Sequence, residues 1–142
     1  MKKFYLLSIL FVQFAYGQTT AYDSLEKRLA VEKNNDVKLE LLSQLVNVSF
    51  NYSLDKALTY AEKGVSLADR TNSKIWQPYF YETRGRVHSN LMQFDSASIY
   101  LNKAMAAYKA NNDKKGQANT YFRIGWIYKR KGDIEKGMNE DM

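Results

Sequence analysis

The chain of 142 residues contains no cysteine, one proline and one histidine. Without cysteine it forms no disulfide and no thiolate metal site, and His88 alone cannot build a metal site or a catalytic triad. One proline and seven glycines fit a helical chain, because both residues are unfavourable inside helices. The sequence also shows no phosphate-binding glycine loop, no paired-carboxylate site and no nucleophile elbow. These absences argue against an enzyme and against a metal or cofactor.

The most apolar stretch lies at the N-terminus. After a short basic start, an apolar run covers residues 4–16, and small residues before Gln18 suit cleavage there. The run is shorter than the roughly 20 apolar residues that span a bilayer. We therefore expect a signal peptide over residues 1–17 and an exported chain, periplasmic or secreted, with an uncleaved anchor as the alternative. No later segment is apolar enough to cross a membrane, so the mature chain is predicted to have no membrane span.

The rest of the chain repeats itself. One face of a predicted helix is formed by four apolar or small residues at helical spacing, Tyr121, Ile124, Gly125 and Tyr128. Counting back from Gly125 reaches Gly85 and then Leu45 at a constant interval (125 − 85 = 40; 85 − 45 = 40). A tetrad of apolar, acidic, variable and small residues recurs at the same interval, at residues 54–57, 94–97 and 134–137. Self-similarity at a fixed period of this size is typical of a solenoid.

Turn-forming residues divide each copy into two helices. Gly132-Asp133 is predicted to end one helix and begin the next, because glycine suits the left-handed position after a helix and aspartate caps an N-terminus. A separate helix over residues 20–33 precedes the first copy. Its apolar face is formed by Tyr22, Leu25 and Leu29.

The residue order resembles the tetratricopeptide repeat (TPR). The third copy matches the signature positions of that family at Tyr121, Ile124, Gly125, Tyr128 and Gly137. The second copy matches at Tyr81, Gly85, Ala97, Leu101 and Ala104, with Arg84 and His88 in place of the usual aliphatic residue and tyrosine. The first copy keeps Leu41, Ala57, Ala61 and Gly64. The usual period is about 34 residues, so the chain resembles a longer-helix, exported bacterial type.

This resemblance implies an all-α fold, a right-handed α-solenoid of TPR helical hairpins. It covers residues 37–142 and implies about two and a half repeats after a leading helix over residues 18–36. The expected repeats span residues 37–74, 75–114 and 115–142, the last of them incomplete.

In TPR proteins the leading helix of each repeat lines a concave groove that holds extended peptides or partner helices. The resemblance places ten residues in this groove, Tyr79, Glu82, Arg86, Ser89, Asn90, Asn119, Phe122, Trp126, Lys129 and Arg130. Aromatic and arginine side chains are common at protein-binding hot spots. We expect Trp126, Phe122 and Tyr79 to act as anchors, with burial of the first two against a following repeat as the alternative. The Lys/Asn/Arg arrangement that clamps a C-terminal carboxylate in some TPR domains is absent from the matching positions.

We therefore expect a non-enzymatic, exported scaffold that binds a protein or peptide and no nucleic acid. The basic residues of the C-terminal third fit cations at helix ends better than a nucleic-acid site. One alternative is the N-terminal sensory TPR region of a membrane-bound histidine kinase or helix-turn-helix transcriptional regulator, truncated here. Another is self-association through the C-terminal face, where Ile134, Met138 and Met142 are expected to lack a following repeat to cover them.

Overall fold

The computed structural model describes the backbone of residues 21–140 and the side chains of residues 21–133. Six helices follow one another, with no strand in this part of the chain: α1 (21–31), α2 (Asn35–Phe50), α3 (Leu54–Arg70), α4 (Trp76–Asn90), α5 (Phe94–Ala110) and α6 (Lys114–Glu140). The predicted all-α helical repeat is confirmed. The signal peptide predicted over residues 1–17 lies outside the described residues.

Side-chain caps and left-handed residues set the turns between the helices. Four polar side chains accept a hydrogen bond from a backbone N–H in the first turn of the following helix: Asn34, Ser53, Ser73 and Asp113. These N–H groups have no partner within their own helix. Asn72 and Asn112 stand forty residues apart (112 − 72 = 40), and both have positive φ, at 49° and 59°. Asparagine tolerates this conformation better than most residues, and the turn geometry therefore repeats with the period of the sequence.

The helices pack in two layers. The leading helices α2, α4 and α6 form one layer in which neighbours touch, while α3 packs on α2 and α4, and α5 packs on α4 and α6. Gly64 of α3 lies directly against the ring of Phe80 in α4, where an added Cβ would be 2.2 Å from ring atoms. Gly85 of α4 similarly faces Leu101 of α5, at 2.8 Å from an added Cβ. Small residues therefore allow these helices to approach each other closely.

Two clusters of buried apolar side chains hold the layers together. The larger one lies among α2, α3 and α4 and includes the fully buried Leu45, Ala61 and Phe80. The predicted apolar face of α1, formed by Tyr22, Leu25 and Leu29, packs against this cluster. The smaller cluster joins α5 and α6 through Ala97, Leu101 and Ile127.

The predicted turn at Gly132-Asp133 is wrong. α6 continues without a break over 27 residues, and no described glycine has a positive φ. A glycine inside a helix costs only about 1 kcal/mol relative to alanine, so this dipeptide does not by itself stop a helix. The two earlier turns are supported by the packing of the helix that returns after them.

The face of α6 that was predicted to pack is consequently exposed. Tyr121 and Tyr128 are 58% and 72% exposed, and nothing lies within 4 Å of a Cβ added at Gly125. The corresponding Gly85 contacts Leu101 because α5 returns over it, whereas a continuous α6 carries the residues after Gly132 away. Ile124 is half-buried, and the fully packed residue of this part of α6 is Ile127.

Candidate peptide-binding groove

An open pocket lies along the layer of leading helices. Its volume is about 250 Å³, and its walls come only from α2, α4 and α6. The lining residues are Phe50, Arg86, Ser89, Asn90, Phe122, Arg123 and Trp126. Five of the ten predicted groove residues thus meet at one place, and they come from two different helices.

Aromatic rings and guanidinium groups alternate around the pocket. Phe122 is 76% exposed and Trp126 is 38% exposed, so both rings are available at the surface. The guanidinium carbon of Arg86 lies 4.5 Å from the ring centroid of Phe50. The guanidinium carbon of Arg130 lies 5.6 Å from the ring centroid of Trp126. Most of the pocket surface is therefore apolar, and the charged groups beside it are cations that contact aromatic rings.

Arg86 is half-buried and makes few hydrogen bonds. Its Nη2 donates to Asn47 Oδ1 over 3.3 Å, and its Nε is buried with no hydrogen-bond partner among the described residues. Burial lowers the pKa of Arg86, and the charge of nearby Arg123 lowers it further. A guanidinium has five N–H donors, and most of those on Arg86 are unused.

Glu82 does not face the open groove, although the sequence pattern placed it there. It is 9% exposed, and its two carboxylate oxygens accept from Arg123 Nε at 2.6 Å and from Tyr108 Oη at 3.0 Å. Burial raises the pKa of Tyr108, and the Glu82 carboxylate raises it further. Glu82 therefore connects α4 to α5 and α6 beneath the pocket.

The other predicted groove residues lie around the pocket without lining it. Tyr79 is half-buried and packs edge-on against Trp76 and Phe80, with ring centroids 5.5 and 5.2 Å apart. It therefore belongs to the edge of the larger core. Asn119, Lys129 and Arg130 are exposed on α6.

Sequence reasoning missed two lining residues, Phe50 and Arg123. Phe50 could have been predicted, because it lies forty residues before the predicted Asn90 (90 − 50 = 40). Extending the groove register to the first repeat would have included it. Arg123 follows Phe122 directly and lies off the predicted groove positions. Its ion pair with buried Glu82 holds Arg123 beside the pocket. The sequence around Arg123 contains no pattern that predicts this ion pair.

The two unusual residues of the second repeat serve the packing of α4 on its neighbours. Arg84 Nη2 donates to Glu62 Oε1 at 2.6 Å, and its guanidinium lies 4.1 Å from the ring centroid of Tyr100. His88 stacks on the same ring, and its Nδ1 hydrogen-bonds Gln93 Oε1 over 2.7 Å. Neither lines the pocket.

The described residues show two further absences. No group of three or more histidine, cysteine, aspartate or glutamate side chains in this part of the chain could hold a metal ion. Among the same residues, no helix is long and apolar enough to cross a membrane.

Comparison with known proteins agrees with this architecture. The tetratricopeptide repeat pattern matches residues 118–140. The chain is also similar to a TPR repeat-containing protein of Methanocaldococcus jannaschii, with 26% identity over 113 residues, or 80% of this chain. It spans only 17% of the length of that relative. Together with the stacked helical hairpins, these matches support a protein of the tetratricopeptide repeat type.

Proposed function

We propose that this chain is a protein-binding scaffold whose pocket among α2, α4 and α6 holds a segment of a partner protein. Repeats of this family serve as protein-interaction scaffolds and are generally non-catalytic. The observation that carries the proposal is the exposed pair Phe122 and Trp126, which share one pocket with Phe50 and Arg86. Clustered aromatic and arginine side chains contribute most of the binding energy in many protein interfaces.

The size of the pocket supports a side chain of a partner as its occupant. Sites for small-molecule ligands measure about 300–1,000 Å³, whereas this pocket measures about 250 Å³. One or two side chains of a bound segment would fill it, and the backbone of that segment would lie along the exposed groove. Three leading helices supply the walls, so the binding surface is formed before the partner arrives, which limits the entropic cost of binding.

The test uses two neighbouring aromatic residues of similar exposure. Short random peptides are selected for binding to the wild-type protein, and their affinities are then measured for Phe122→Ala and Tyr121→Ala. Phe122 lines the pocket and Tyr121 does not, although both are exposed. We expect Phe122→Ala to weaken binding about thirtyfold, as truncation of a hot-spot residue does, and Tyr121→Ala to leave the affinity unchanged.

Circular dichroism of both variants separates loss of binding from loss of fold. Because Phe122 is largely exposed, its truncation is expected to leave the helical signal intact. If every selected peptide binds Phe122→Ala as well as it binds the wild type, the pocket is not the binding site and the proposal is wrong.

Export forms the second part of the proposal. It is supported by the basic start and the apolar run over residues 4–16, followed by small residues before Gln18. Expression of the full chain in a bacterium, followed by fractionation and N-terminal sequencing, is expected to give a periplasmic or secreted protein that begins at Gln18. A cytoplasmic protein that still carries residues 1–17 would refute export.

A further inference from the structure

The charges at the pocket do not balance. Arg86 and Arg123 both line it, and Glu82 is the only carboxylate in contact with either of them among the described residues, which leaves a net charge of +1 (2 − 1 = +1). Both oxygens of Glu82 are already engaged, by Arg123 and by Tyr108. Arg130, beside Trp126, adds further positive charge at the edge. The described side chains therefore leave a cation without a counter-ion in a partly desolvated place.

The groups around Arg86 compensate for this charge only in part. The ring of Phe50 provides a cation–π contact, which is a weaker attraction than a carboxylate partner would supply. Phe50 and Asn90 are the last residues of α2 and α4, and helix C-termini carry a partial negative charge. Neither helix end, however, supplies a hydrogen-bond acceptor to Arg86 among the described residues; its only acceptor there is Asn47 Oδ1, at the long distance of 3.3 Å.

A carboxylate is the group that best fits these unused donors. Guanidinium groups bind carboxylates through paired, charge-assisted hydrogen bonds, which are stronger than neutral ones. Once a bound segment covers the pocket, the Phe50, Phe122 and Trp126 rings would reduce the access of water to such a contact and so strengthen it. They also favour apolar residues next to the acid in the bound segment.

We infer that the pocket selects an aspartate or glutamate side chain, flanked by apolar residues, from the bound partner segment; this inference rests on the proposed function. A side-chain carboxylate is favoured over a chain terminus because the pocket is open, so that a bound segment can continue past it in both directions. The inference names Arg86 as the main residue that binds the acid. Arg123, already paired with Glu82, adds its charge to the same site.

The experiment is a double-mutant cycle on peptides selected from the random library. Each selected peptide is made with an amidated C-terminus, once as selected and once with its acidic residue changed to the amide isostere, Glu→Gln or Asp→Asn. Both forms are titrated against the wild type and Arg86→Gln. We expect the acid-to-amide change to weaken binding about tenfold or more to the wild type, the loss typical of a charge-assisted hydrogen bond, and to have little effect on Arg86→Gln.

Lys131→Gln is the matched control, because it removes one positive charge from α6 at a residue that does not line this pocket. It is expected to keep the preference for the acidic peptide. Arg86→Lys keeps the charge and loses the planar pair of donors, so an intermediate affinity is expected. Circular dichroism shows whether Arg86→Gln folds. If it does not fold, the acidic and amide peptides are compared on the wild type at rising salt. The inference then requires that salt reduce the advantage of the acidic peptide, because ions screen a contact between charges.

The outcomes distinguish this inference from the proposed function. If the peptides require Phe122 but bind equally as acid and amide, the groove binds segments without acid recognition and the inference is wrong. If amidation of the C-terminus, and not the side-chain change, abolishes binding, the site reads a chain terminus and the inference is again wrong. If no peptide depends on Phe122, the proposed function itself fails.

Discussion

A methyl group added at Gly64 should damage the interface between the first two hairpins, whereas the same methyl group at Gly125 should not. At Gly64 the new Cβ would lie 2.2 Å from two ring atoms of Phe80, against the 3.4 Å at which ordinary contact begins. The ring would have to move by about 1.2 Å (3.4 − 2.2 = 1.2). Phe80 has no room for this movement, because it is fully buried and packed by Trp76 and Tyr79, with ring centroids 5.9 and 5.2 Å away.

The expected free energies follow from two opposing contributions. Overpacking a core costs about 1–3 kcal/mol, and the clash at Phe80 is at the severe end of that range. Replacing glycine by alanine inside a helix returns about 1 kcal/mol. Gly64→Ala should therefore lower the free energy of unfolding by about 2 kcal/mol, while Gly125→Ala, with open space around it, should raise it by about 1 kcal/mol.

Urea unfolding followed by far-ultraviolet circular dichroism measures both variants under the same conditions. The fluorescence of Trp76 adds a local probe, because its ring lies against Phe80. The informative quantity is the difference of about 3 kcal/mol between two identical chemical changes. Equal stabilities, or a Gly64→Ala protein more stable than Gly125→Ala, would refute the close packing of α3 on α4.

Three further predictions concern other contacts. Glu82→Gln should lower the free energy of unfolding by about 1–2 kcal/mol because it leaves Arg123 without its buried charged partner. Lys131→Gln, which breaks an exposed ion pair, should change the free energy of unfolding by less than about 0.5 kcal/mol. Equal effects of the two substitutions in urea unfolding would contradict the prediction. Burial, aided by the bond to Asp69, raises the pKa of Tyr81 from 10.0 to about 12; because the folded value is the higher one, the stabilisation is complete below pH 10 and lost as pH rises towards 12. Ultraviolet titration of Tyr81→Phe should lack this late tyrosinate, and an unchanged titration would show the assignment to be wrong. Gly132→Ala should stabilise a continuous α6 by about 0.5–1 kcal/mol, whereas a left-handed turn there would make it destabilising; thermal unfolding gives the sign.

The repeat and its helices could be predicted because their signals are local and periodic. The tetrads that recur at residues 54–57 and 94–97 coincide with the first turns of α3 and α5, which begin at Leu54 and Phe94. Gly85, which the recurring interval aligns with Leu45, lies against Leu101 where α5 approaches. In the second repeat, position in the repeat is thus sufficient to assign the leading helix and the face by which it packs, whereas in α6 the corresponding face is exposed.

The site could be predicted only where its residues follow that same register. Arg86, Phe122 and Trp126, which follow this register, line one pocket. Glu82 shares their register but is buried, since its contacts with Arg123 and Tyr108 come from two other helices. Whether a polar residue faces a groove or an ion pair depends on partners far away in the sequence, which a repeat pattern does not encode.

The conformations of Met92 and Gly132 show why the last turn could not be predicted from its residues. These residues are equivalent in the repeat (132 − 92 = 40), yet Met92 has a φ of 59° while Gly132 lies within α6. A left-handed conformation costs a residue such as methionine about 1–2 kcal/mol. The return of α5 over α4 offsets this cost, because it buries Leu101 completely, a gain of about 1.5–3 kcal/mol for one side chain, with Ala97 and other residues adding to it. No described side chain packs over Gly125 in the same way, so among the described residues no packing contact offsets the cost of a turn at Gly132. In this fold the packing of the next helix decides whether a turn forms, and the turn residue only lowers its cost.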